Sequence, residues 1–183
     1  MKADSAVLLC AAGLLLLAGG FAAGGGMGKA DAGSACAESV ETLFSPGAEA
    51  EIAGLIESAN ETIDVEMYQF SYAPFADELA DAKARGVRVR VILEPRLDGD
   101  DNLQTMAKLK GDGVDARWAT LEFSRTHSKT MVVDGKIVLV GSPNWSYSAM
   151  FRNRESAVVV EGSEVAGEFE RVFESDWRDA KAG

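Results

Sequence analysis

The chain has 183 residues, 47% hydrophobic and 26% charged, which suits one globular domain with a real core. A net charge of −11 excludes a protein that coats nucleic acid over its whole surface, although it leaves room for a local basic cleft. One histidine and two cysteines, Cys10 and Cys36, argue against a disulfide framework and cannot build a usual His/Cys zinc site.

Residues 6–18, AVLLCAAGLLLLA, form an apolar run that is short for a membrane span and right for a signal-peptide core. Residues 1–23 therefore read as a signal peptide, cleaved on export to the periplasm or the extracellular space. Kept in place, the same run is an N-terminal anchor associated with a membrane. Residues 24–38 are rich in Gly, Ala and Ser and read as a linker, and the folded domain is expected over 39–183.

From there strand and helix patterns alternate. Val40 to Phe44 is a short strand, stopped by Ser45-Pro46-Gly47. Ala48 to Asn60 is helical, with Ile52, Leu55, Ile56 and Ala59 on one face. Thr62 to Phe70 is β-rich, Pro74 to Arg85 is a helix stopped by Gly86, and Val87 to Leu93 is a strand in which valines alternate with Arg88 and Arg90. Asp98 to Asp101 reads as a solvated loop and helix cap, too incomplete for a calcium loop. A helix over Asp100 to Lys110 and a strand over Val114 to Trp118 follow. Ser128 to Val133 and Lys136 to Val140 are strands joined by the hairpin turn Asp134-Gly135. Ser156 to Glu161 is a strand, and Glu164 to Trp177 is a helix with Val165, Phe169, Val172, Phe173 and Trp177 at helical spacing. The alternation predicts an α/β fold, a layered α-β-α sandwich with a mixed, mostly parallel sheet and helices on both faces.

The chemistry concentrates between residues 127 and 144. Strand alternation puts His127 and Lys129 on one face of their strand. Lysine is a compact cation with three donors, suited to a phosphate oxygen, and imidazole attacks phosphorus or shuttles a proton near neutral pH. Gly141 ends the next strand and lets the chain turn closely, so that Ser142 and Asn144 offer their donors beside the same pocket. Singly, Lys129 reads as a solvated charge, Ser142 and Asn144 as turn residues, and Asp134 as a turn former. Together they make a ring of donors around a phosphoryl group with a nucleophile in its midst, which needs no metal or cofactor because Lys129 and Asn144 can stabilise the developing charge.

This segment resembles the signature of the phospholipase D superfamily, H-x-K, four residues, D, six residues, G-S-x-N, with His127, Lys129, Asp134, Gly141, Ser142 and Asn144 in place. The resemblance runs from about Val40 to Asp176 and is nearest to the small, single-motif bacterial endonucleases of that superfamily. It implies a metal-independent phosphodiesterase working through a phosphohistidine. Since one site takes two signatures, it also implies a homodimer with a shared active site. It assigns attack, then leaving-group protonation and water activation, to the two copies of His127, oxygen binding to Lys129 and Asn144, support to Ser142, and orientation of the histidine to Glu155. Asp134 is structural in this family, in agreement with the turn reading. Pro143 stiffens the loop and bears on substrate shape rather than chemistry.

Charge suggests the substrate. From Glu122 to Arg154, Arg125, Lys129, Lys136, Arg152 and Arg154 stand against two acids, whereas the chain after Arg154 is acidic. A basic site doubled in a dimer suits nucleic acid, held by Arg125, Arg152 and Arg154, with Trp145 and Tyr147 equally readable as base-stacking rings or as core or loop-anchoring residues. The alternatives are a phospholipase D or cardiolipin-type lipid phosphodiesterase held at a membrane, and a binding module that lost catalysis.

Overall fold

The computed structural model describes residues 35–183. The expected signal peptide or anchor, and all but the end of the expected linker, lie outside the described residues. The elements are β1 (Ser39–Ser45), α1 (Glu49–Ser58), β2 (Thr62–Met67), α2 (Ala73–Ala84), β3 (Arg88–Leu93), α3 (Asp101–Gly111), β4 (Asp115–Trp118), β5 (Lys129–Val133), β6 (Ile137–Gly141), α4 (Tyr147–Phe151), β7 (Glu155–Glu161), α5 (Ser163–Asp179) and β8 (Lys181–Ala182).

The strands form one mixed sheet of eight in the order β1-β7-β6-β5-β2-β3-β4-β8. Only β2–β3 and β3–β4 pair in parallel, and the other five pairings are antiparallel, which corrects the expectation of a mostly parallel sheet. The reason is connection length. A helix crosses over between β2 and β3 and between β3 and β4, whereas β5 and β6 are joined by only three residues, 134–136, in a tight turn that reverses the chain.

The sheet is buried on both faces. On one, Ile52 and Ile56 of α1, Phe75 and Leu79 of α2 and Leu109 of α3 pack on Ile63, Val65, Val91 and Met131. On the other lies α5, with Phe173 and Trp177 against Ile92 and Ala166 against Val132 and Val138. Val172 does not join this stripe; it is exposed. Asp100 stands at the start of α3 but makes no side-chain cap, and Asp101 instead accepts from Gln69 Nε2 at 2.8 Å.

Polar residues on the α5 face are paired in register. Asp64 of β2 lies beside Arg90 of β3 and accepts two hydrogen bonds from its guanidinium, each 2.7 Å. Glu174 of α5 accepts a third, also 2.7 Å, and the guanidinium lies over the rings of Phe173 and Trp177. Burial alone favours loss of the Arg90 proton, but the bonds to Asp64 and Glu174 outweigh it and hold the charge firmly. Next along this face, burial and then the charge of Asp176 push the Glu66 carboxyl up to about 8. Both pairs tie α5 to the strands that position the site.

Candidate active site

His127 lies just before β5, where strand pairing fixes the backbone. Met67 of β2 pairs with Lys129, and Tyr68 N donates to Ser128 O at 2.8 Å. The imidazole is exposed, and its ring meets that of Tyr68 at 4.3 Å. Lys129 Nζ donates to His127 O at 2.9 Å and stands 3.4 Å from Nδ1, at the long limit of a hydrogen bond. Its ammonium also lies 5.0 Å from the centroid of the Tyr68 ring. Burial pulls the Lys129 ammonium below the usual lysine range, and the charge of Glu155 opposes this.

The Gly-Ser-Pro-Asn loop is pinned at both ends. At its start β6 runs so close to β7 that a Cβ on Gly141 would come within 2.5 Å of the Cα of Ala157. Only glycine fits that approach. Ser142 N then donates to Ser156 O at 2.9 Å, and Ser142 Oγ accepts from Ser156 N at 3.1 Å while donating to Glu155 Oε2 at 2.5 Å. The other Glu155 oxygen accepts from Asn153 Nδ2 at 3.0 Å. At the far end Trp145 N donates to Gln69 O, and Trp145 O accepts from Ser71 and Tyr72. Asn144 is suspended between these anchors, and its Oδ1 is buried without a donor.

The site residues expected from sequence thus fall into two adjoining groups, His127 with Lys129 and Ser142 with Glu155. Glu155 does not reach the His127 ring within this chain; its hydrogen bonds go to Ser142 and Asn153. Trp145 is 1% exposed and packs edge-on against Phe70 and Phe75, so it is a core residue and not a stacking surface. Tyr147 is 55% exposed, with the Arg152 guanidinium 5.1 Å over its ring and the Phe151 ring 4.9 Å away. Arg125 and Arg154 are exposed as well, and Arg125 donates to the neighbouring Ser124 O. Asp134 sits away from the imidazole, at the hairpin turn, where its carboxylate accepts from the backbone of Asn60, Glu61 and Thr62. Among the described residues no three His, Cys, Asp or Glu side chains gather closely enough to hold a metal ion.

Tyr68 and Asn153 are contributors that the sequence did not reveal. Tyr68 follows the last residue of β2, and only the pairing of Met67 with Lys129 brings it under the histidine. Gly141→Val is expected to destabilise the fold by about 1–3 kcal/mol through overpacking against β7. Urea unfolding measures this, and an unmoved midpoint contradicts the close approach.

Residues 52–177 match the family described as Cardiolipin synthase, PLD-like domain. A phospholipase D of Rickettsia conorii is 30% identical over 145 residues, spanning 78% of this chain and 70% of that protein. A mitochondrial cardiolipin hydrolase of Xenopus tropicalis is 30% identical over 125 residues, 68% of this chain and 59% of that protein. Among solved structures, Nuc of Salmonella typhimurium, a phospholipase D family member, superposes with a TM-score of 0.75 at 28% identity over 79% of this chain and 97% of its own.

Proposed function

This chain belongs to the phospholipase D superfamily of phosphodiesterases, and from that premise we propose that it is an endonuclease cleaving DNA or RNA in a shared site of a homodimer. The observation that carries the reading is the exposed imidazole of His127, the chain's one histidine, with the Lys129 ammonium against it.

A phosphate oxygen entering the site takes the Lys129 ammonium, and with it the long contact to Nδ1. A ring nitrogen of His127 attacks phosphorus, a P–N bond forms, and the P–O bond opposite breaks. The leaving oxygen takes a proton from His127 of the partner subunit. That ring then removes a proton from water, which attacks phosphorus and releases the first imidazole. Lys129 and Asn144 bind the non-bridging oxygens where charge develops. With one histidine per chain, a second copy supplies the second imidazole that this route uses.

Nucleic acid is favoured by the exposed cations Arg125, Arg152 and Arg154 and by the exposed aromatic Tyr147. One observation favours the lipid reading. Leu121 and Phe123, 56% and 49% exposed, stand on the loop that leads to His127 and offer an apolar surface beside the site. The full chain, assayed on single-stranded DNA, RNA and cardiolipin vesicles, separates the two. Cleavage of DNA or RNA is expected, with activity unchanged in EDTA. A preference for cardiolipin overturns the choice of substrate. A loss in EDTA that magnesium or zinc restores overturns the metal-free route.

A further inference from the structure

The ten residues between β4 and β5 have no helix or strand of their own, yet they deliver His127 to the site. What holds them comes from β3. Glu94 follows that strand directly and is fully buried. Its Oε1 accepts from Arg96 N at 2.9 Å and Arg96 Nε at 2.7 Å. Its Oε2 accepts from Thr126 N at 2.6 Å and Arg96 Nη2 at 3.1 Å. The rest of the Arg96 fork turns outward to the loop, where Nη1 donates to Phe123 O at 2.6 Å and Nη2 lies 3.5 Å from Thr120 O. The pair therefore grips the loop backbone at residues 120, 123 and 126. The last of these grips is one residue before the imidazole, while the loop's side chains Leu121, Phe123 and Arg125 face solvent.

A carboxylate with no exposure is costly unless every lone pair finds a donor, and here four donors meet two oxygens. Burial would raise the Glu94 carboxyl, but the Arg96 and Thr126 donors more than reverse this and lower it, so the clamp is charged at neutral pH. Its backbone reach is also specific. Thr126 N is the last loop amide before His127 to be held from inside the domain, and beyond it the chain is held by Tyr68 N on Ser128 O. His127 is thus bracketed by two fixed backbone points, one on each side.

We propose that Glu94 and Arg96 are positioning residues for the His127 nucleophile, fixing the loop so that the imidazole meets phosphorus at attacking distance. This rests on the phosphodiesterase reading. Neither side chain touches substrate; both act through the backbone of 120–126. A misplacement of about 1 Å at a reacting atom costs about 10²-fold in rate. Releasing the clamp is therefore expected to lower kcat about 10²-fold and leave KM within about threefold.

Two full-length variants test this. In E94Q the amide's donors face donors already present, so one side of the clamp opens while shape is kept. In E94L/R96M the buried carboxylate and its half-buried guanidinium partner are replaced by apolar groups of similar size, a change that buried ion pairs often tolerate. The double variant therefore serves where E94Q fails to fold. Two readouts are taken on protein shown by circular dichroism to be folded. The first is kcat and KM on a chromogenic phosphodiester. The second is the imidazole resonance, which is unambiguous because the chain has one histidine. The expected result is a broadened or shifted histidine resonance together with the kcat loss. A folded double variant whose resonance matches the parent overturns the clamp, whether or not the parent proves active. A shifted resonance with an undiminished kcat overturns it too. A parent that cleaves no phosphodiester refutes the reading of function instead, and the resonance still decides whether the clamp holds the ring.

Discussion

His127→Asn is expected to lower turnover by about 10⁴-fold or more while substrate binding persists, because the substitution removes nucleophile and proton carrier from both halves of one site. Asparagine keeps a polar side chain of similar reach, and Lys129, whose ammonium is also held by the backbone oxygen of residue 127, stays in place to bind phosphate. Binding without turnover separates an enzyme from a module that retains the fold alone. The shared site adds a sharper expectation. In a mixed dimer one imidazole is missing, so attack and leaving-group protonation cannot both occur. Random mixing of equal parent and variant chains is therefore expected to halve, to about 50%, the activity that the parent chains give alone. An independent site in each chain predicts no change on mixing. Phosphate trapped on the imidazole after a rapid quench is the direct check of the intermediate. A variant that turns over as the parent does would remove His127 from the mechanism.

What the sequence made legible depended on whether a residue's role was local. The strand and helix segments are signalled by alternation over six to a dozen residues, and each expected element exists within a few residues of its place. The motif spacing carried the pairing of His127 with Lys129 for the same reason, since both lie at one strand end. Roles set by register across the sheet were not legible. Arg90 showed only as a residue alternating with valines until β2 placed Asp64 beside it. Glu94 extended an apolar run without showing that the loop thirty residues on would need its oxygens. Trp145 lies outside any strand or helix, where no periodicity distinguishes inside from outside, and its ring turned toward Phe70 and Phe75. The five residues of α4 and the two of β8 are too short to leave a pattern. Val172 shows the same limit within a good pattern, as helical spacing assigns an apolar stripe but not its edge.

Asp134 carries the clearest division between chemistry and fold within the motif, and its substitution has the largest expected effect on stability. Its backbone φ of +52° is a left-handed conformation that aspartate and asparagine tolerate better than most residues, and Gly135 follows at +61°, so the pair makes the tight turn between β5 and β6. The carboxylate reaches across to the start of β2. Oδ1 accepts from Glu61 N and Thr62 N, each at 2.8 Å, and Oδ2 from Asn60 N at 3.0 Å. Asp134 N in turn donates to Thr62 O at 2.9 Å. Asp134→Ala strands three amides and strains the turn, and a loss of about 3–5 kcal/mol is expected. Asp134→Asn keeps one acceptor oxygen and the backbone preference, and about 1–2 kcal/mol is expected.

Burial would raise this carboxyl, but the amides of Thr62, Asn60 and Glu61 outweigh it and hold it below the usual aspartate range. A folded value below the unfolded one, about 3.9, means that its contribution is complete above about pH 4 and fades as the pH falls through the folded value. Urea unfolding of parent and Asp134→Asn at pH 7 and pH 3 measures this, and the gap between them is expected to narrow in acid. The folded fraction of Asp134→Asn is expected to keep kcat within about threefold of the parent, since the carboxylate stands at the hairpin and not at the imidazole. A fully folded Asp134→Asn without activity would move this residue from the scaffold into the chemistry.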